Sequence, residues 1–116
     1  MKIRTGIDII EVDRIQEAIE SQGERFLNKV YTKNEINYCS NTGKMMYQHY
    51  AARFAAKEAI FKAISEILNQ MGIMNEKEGQ PVPNLDLLNI KNIESMDLSL
   101  SHIKNYAIAS FTILFK

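Results

Sequence analysis

A chain of 116 residues has the length of one domain, and folding at this size buries roughly two thirds of the unfolded surface, enough for one core and little more. Its 46% hydrophobic and 24% charged residues, with 2 Pro and 5 Gly, exclude a collagenous or wholly disordered chain. Fourteen basic against fourteen acidic residues leave a formal net charge of zero, which offers no general attraction to nucleic acid or anionic lipid, so a charged partner must be met by local geometry.

Residues 2–10 (KIRTGIDII) alternate in part and predict a strand with Asp8 near its end. From Glu11 to Ser21, Val12, Ile15, Ala18 and Ile19 recur at helical spacing, and Gly23 closes this amphipathic helix. Residues 24–30 suggest a short helix. Thr32 and Glu35 then form a capping-box pattern that opens another over 33–39, followed by a loop at 40–44. The longest periodic segment is 46–69, rich in alanine and free of Gly and Pro, with Tyr50, Phe54, Phe61, Ile64 and Leu68 on one broad side. It predicts a long central helix ended by Gly72. A loop follows at 75–84, and 85–93 fits either a short helix or a strand. Residues 97–103, a turn at Lys104-Asn105 and the run 106–115 read as a β-hairpin. The fold class is α+β in one domain, residues 1–116, with the long helix packed on a small antiparallel sheet.

The lone Cys39 cannot close an intrachain disulfide and fits a reducing compartment. Asp8, Glu11 and Asp13 interrupt any secretory core near the start, and no apolar run approaches the roughly 18 residues of a membrane span. A cytoplasmic chain is expected.

Chemistry concentrates on the long helix. Arg53/Lys57 and Glu58/Lys62 are each four apart and are expected to form two adjacent rows on one side, three cations around one carboxylate. The bland reading is a solvated face with one ordinary ion pair. Against it, small residues at 51, 52, 55, 56, 59 and 63 permit close approach of backbone or ligand and leave the charges in a recess suited to phosphate. Asp8 alone is most simply a turn or cap residue. Paired with Glu58 it offers two hard carboxylates from different elements, the ligand type Mg²⁺ prefers when phosphate and water complete its shell. Alternation puts His102 on the face of Leu98 and Leu100, with Ser99 and Ser101 opposite; a half-buried core histidine is the plain reading, a phosphate contact the functional one. His49 carries less signal still. No hydrolase triad, P-loop or GxGxxG is present.

GIDIIEVDRI at 6–15, ERFLNKVYTKNE at 24–35, ARFAAKEAIFKA at 52–63 and LSLSH at 98–102 together resemble holo-acyl-carrier-protein synthase, the small bacterial class of phosphopantetheinyl transferases. The resemblance covers most of the chain, and RFAAKEA is its most specific block. It implies transfer of 4′-phosphopantetheine from coenzyme A to a serine of apo acyl carrier protein, with Mg²⁺ required and adenosine bisphosphate released. It makes Asp8 and Glu58 metal ligands and Glu58 and Lys62 the catalytic pair. It assigns Arg53, Lys57 and Lys62 to coenzyme A phosphates, with His102 and Ser101 near the nucleotide phosphate. Arg14, Arg25 and Lys29 become the contacts for an acidic carrier protein. Glu58 or a metal-bound water accepts the serine proton, a choice the sequence leaves open. The family site lies between neighbouring subunits of a homotrimer. One departure stands out: only IMNEKE separates Gly72 from Gly79, where the family has a Gly-rich turn and an extra strand, and Gly79-Gln80-Pro81 is taken as the surviving turn. The rival reading, from another class, is a non-catalytic coenzyme A or carrier-protein binding module derived from this family.

Overall fold

The computed structural model describes residues 1–70 and 91–116, with side chains described outside 66–70. The positions of the expected helix stop at Gly72, the loop at 75–84, most of the ambiguous 85–93 segment and the Gly79–Pro81 turn lie outside the described residues. The elements run β1 (Lys2–Glu11), α1 (Val12–Gln22), α2 (Glu24–Val30), α3 (Lys33–Ser40), a 3-10 turn (Gly43–Met45), α4 (Met46–Gln70), β2 (Ile93–His102) and β3 (Tyr106–Phe115). The described strands form one antiparallel sheet in the order β1-β3-β2. β2 begins four residues before the expected 97, with an irregularity at Ile93/Ser95.

Alternation along β3 decides which face is covered. Ala107, Ala109, Phe111, Ile113 and Phe115 are buried and point toward α4. The stripe of α4 packed on them is chiefly its alanines, Ala55, Ala56, Ala59 and Ala63, joined by the fully buried Ile64. Small side chains let the helix sit low on the sheet, and Gly6 on β1 shows how low: a Cβ there would lie 1.8 Å from the Ala59 carbonyl oxygen. Tyr50 faces the other way, into a second cluster with Val12, Ile15, Tyr31 and Cys39 that fastens α1, α2 and α3 to α4.

The corner elements follow their local chemistry. Gly23 closes α1 at φ 57°, ψ −133°, a backbone region that glycine alone enters without strain. The capping box at α3 is present: Glu35 N donates to Thr32 Oγ1 at 3.2 Å and Thr32 N donates to Glu35 Oε1 at 2.9 Å. The Val12 amide at the start of α1 donates to the Asn105 carbonyl at 2.8 Å, tying the end of β1 to the β2–β3 turn. No described helix is long and apolar enough to cross a membrane.

On the face of the sheet away from α4, Ile3, Ile7 and Ile9 are about 60% exposed and pair across the register with Leu114, Ser110 and Ile108. No other described element covers them.

Candidate active site

Asp8 stands on the α4-facing side of β1, opposite Ala109 in the register, two residues beyond the Gly6 contact with Ala59. Glu58 precedes Ala59, so the same close approach that brings backbone to backbone brings these two carboxylates together. They line one open cavity of about 350 Å³. Burial, and after it the charge of Asp8, push the Glu58 carboxyl above the ordinary carboxylate range, while Lys62 pulls the other way. Lys62 Nζ donates to Asp8 Oδ1 at 3.0 Å and to the Ile7 carbonyl at 3.1 Å, with its side chain half exposed.

Arg14 lines the same cavity, whose remaining walls are apolar: Ile10, Ile15, Phe26 and Phe54 among them. Sequence reasoning missed these walls, although Phe54 lies inside the RFAAKEA block. Arg25 and Lys29 are exposed, one turn apart on α2.

The expected four-charge cluster on α4 is not assembled. Positions advance about 100° per residue, so 53/57 and 58/62, although each internally aligned, face different neighbours. Lys57 turns inward. It is 6% exposed, and its ammonium donates to Glu35 Oε1 at 2.6 Å and to the Val30 carbonyl at 2.9 Å, above the ring of Tyr31. Its charge is thus held by a carboxylate and by the carbonyl end of α2, where a cation is favoured. Those contacts leave the ammonium turned away from the cavity that Glu58 lines. Arg53 lies 4.5 Å over the Tyr38 ring.

His102 ends β2 opposite Ala107, on the α4 side, and its ring is 5.3 Å from that of His49. Its Nδ1 is buried without a hydrogen-bond partner. Ser101, opposite Ile108, points to the other face of the sheet; both residues touch a smaller apolar cavity of about 220 Å³ at the hairpin end. The site residues therefore divide between the two flanks of α4: Asp8, Glu58, Lys62 and Arg14 beside β1, and Arg53, His49 and His102 beside α3 and β2. His49 carries little signal in the sequence beyond its four-residue spacing to Arg53.

Asp8 and Glu58 offer hard oxygen ligands at one place, and among the described residues no group of three or more His, Cys, Asp or Glu side chains gathers. A two-carboxylate set whose mutual repulsion raises one pKa suits a divalent cation that takes its other ligands from water and phosphate.

The profile of the 4′-phosphopantetheinyl transferase superfamily matches residues 4–110. A holo-[acyl-carrier-protein] synthase of Ruminiclostridium cellulolyticum is 40% identical over 120 residues, spanning 94% of this chain and 90% of the relative. One from Dehalococcoides mccartyi (strain CBDB1) is 44% identical over 114 residues, spanning 90% and 92%. Among solved structures, the holo-(acyl-carrier-protein) synthase of Bacillus anthracis str. Ames, determined in complex with CoA (3′,5′-ADP), aligns at TM-score 0.63 and 27% identity over 95% of this chain and 94% of that one. The fold is likewise shared with the Neisseria meningitidis protein of the same description, at TM-score 0.70 and 20% identity over 96% and 97%. The chain belongs to the holo-acyl-carrier-protein synthase family of phosphopantetheinyl transferases.

Proposed function

We propose that this chain transfers 4′-phosphopantetheine from coenzyme A to a serine hydroxyl of an apo acyl carrier protein and releases adenosine 3′,5′-bisphosphate. The observation that carries the reading is the convergence of Asp8 and Glu58 on one open cavity, with Lys62 bonded to Asp8, in a member of this family. The serine oxygen forms a bond to the β-phosphorus, the bridging P–O bond breaks, and the electron pair leaves with the adenosine bisphosphate. Asp8 and Glu58 are the residues that would hold Mg²⁺, which when bound would draw charge from the diphosphate oxygens. Lys62, half exposed and resting on Asp8, meets the negative charge that grows on the departing phosphate. The proton lost by the serine goes to Glu58 or to a water that Mg²⁺ would hold. The apolar wall of Ile15, Phe26 and Phe54 accommodates the pantetheine arm and limits water at the reacting centre. Arg14, with Arg25 and Lys29 on the neighbouring α2 surface, attracts an acidic carrier.

The same reading makes the protein a homotrimer with shared sites. An α-helix is about 10 Å across with its side chains, so α4 separates the carboxylate flank from the Arg53/His102 flank within one chain. A head-to-tail contact sets the first flank of one copy against the second flank of the next, and such heterologous contacts close into rings. Ile3, Ile7 and Ile9, exposed on the outer sheet face, give that assembly an apolar surface to bury.

The test is incubation with apo carrier protein, coenzyme A and Mg²⁺, read by intact-protein mass spectrometry. A phosphopantetheine increment on the carrier is expected. An unmodified carrier that a known synthase does modify overturns the reading, and coenzyme A binding without turnover would identify a binding module instead.

A further inference from the structure

Away from the carboxylates, one cluster of titratable side chains is only partly used by the proposed reaction. The rings of Tyr38, His49 and His102 follow one another at centroid separations of 5.5 and 5.3 Å, with the Arg53 guanidinium 4.5 Å over the far end of the row. The row joins three elements, α3, α4 and β2. His102 lies at one end of the row, on an edge strand, and its buried Nδ1 has no hydrogen bond to fix the ring. The side-chain contact that sets this imidazole is the tilted ring of His49, itself braced edge-on by Tyr38.

We propose that His49 is a positioning residue for coenzyme A: it holds the His102 imidazole ready to meet a coenzyme A phosphate, and it acts through His102 without touching the substrate. The inference rests on the transferase reading above, with His102 near the nucleotide phosphate as the family resemblance implies. A plate of this kind works best uncharged, because a cation at His49 would repel the nearby Arg53 guanidinium. Burial, followed by the charges of His102 and Arg53, does hold His49 below the ordinary histidine range. The stacking gain is small for each pair, yet pre-orienting one rotatable side chain is what separates a contact already aimed from one that must be ordered on binding.

The experiment measures KM for coenzyme A and kcat at saturating carrier and Mg²⁺ in His49→Ala, His49→Phe, His102→Ala and the double variant His49→Ala/His102→Ala, with thermal unfolding of each. His49→Ala is expected to raise KM about two- to tenfold at nearly constant kcat. His49→Phe, which keeps the ring and abolishes its titration, is expected to restore the wild-type KM, and the double variant to match His102→Ala alone. Additive effects in the double variant, or failure of phenylalanine to rescue, overturn the proposal. If His49→Ala does not fold, His49→Leu, which fills the volume without a ring, takes its place under the same expectations. A raised KM in His102→Ala with an unchanged KM in His49→Ala removes the positioning role alone; an unchanged KM in His102→Ala removes it together with the assignment of His102 to coenzyme A.

Discussion

Glu58 is held against its own electrostatics. Its carboxyl lies above the ordinary value of 4.5 because burial and Asp8 both disfavour the charge. A carboxyl whose folded pKa is raised binds its proton more tightly in the fold than in the unfolded chain, so ionising it opposes folding. That penalty is absent below the unfolded pKa and grows as pH rises through it toward the folded value. Glu58→Gln is therefore expected to melt at or above the wild-type temperature at neutral pH, with the advantage shrinking to nothing below about pH 4, while transfer falls about 100-fold or more. Thermal melts across pH, paired with the carrier mass assay, check both halves; a neutral-pH melting point well below wild type contradicts the account. Lys57 and Arg53 make the complementary contrast. Removing the buried Lys57 ammonium leaves Glu35 and the end of α2 without their cation, so Lys57→Met is expected to lose about 3 kcal/mol of stability with an unaltered KM for coenzyme A. Arg53→Ala is expected to raise that KM at an unaltered melting temperature. Denaturation curves and steady-state kinetics on the two variants separate the roles, and a raised KM in Lys57→Met would return this lysine to the phosphate.

At the scale of elements, the contact of β1 with α4 fixes the site. Gly6 and Ala59 meet backbone to backbone, and Asp8 and Glu58 flank that meeting point by two residues and one. Gly6→Ala forces the helix off the strand. With added Cβ overlap against a carbonyl rather than a yielding side chain, it is expected to destabilise by about 3 kcal/mol and to abolish transfer even where folded protein remains, measured by melts and the mass assay. Wild-type turnover by folded Gly6→Ala would contradict the claim that this contact sets the carboxylate pair. Most of the element order was legible from local chemistry: the alternation of 106–115, the Thr32/Glu35 box and Gly23 each act within a few residues. Asp8 and Glu58 were paired by the family resemblance, since a strand end and a helix row 50 residues apart do not report on each other locally. The orientation of Lys57 was not legible, since nothing near it in sequence reports that Glu35, 22 residues earlier, is the partner waiting across the core. Of the two uses the alanine stripe allows, close approach of backbone or of a ligand, the structure shows the first, seating α4 on the sheet. The His49–His102 contact is likewise long-range, between residues whose separate contexts say little.

For the whole molecule, the proposed trimer is what would bring together site residues that one chain divides between two flanks of α4. One chain offers two carboxylates and a lysine on one side, an arginine and two histidines on the other, with the helix itself between them. The decisive measurement mixes two crippled proteins, Glu58→Gln and the double variant Arg53→Ala/His102→Ala, under conditions where native mass spectrometry shows exchanged trimers, and reads transfer to the carrier. The account predicts recovery from near zero to about one quarter of wild-type turnover, because in random exchange that share of contacts joins an intact flank of one copy to an intact flank of the next. Exchanged trimers with no gain over the separate variants would show that each chain reacts alone, and would contradict it.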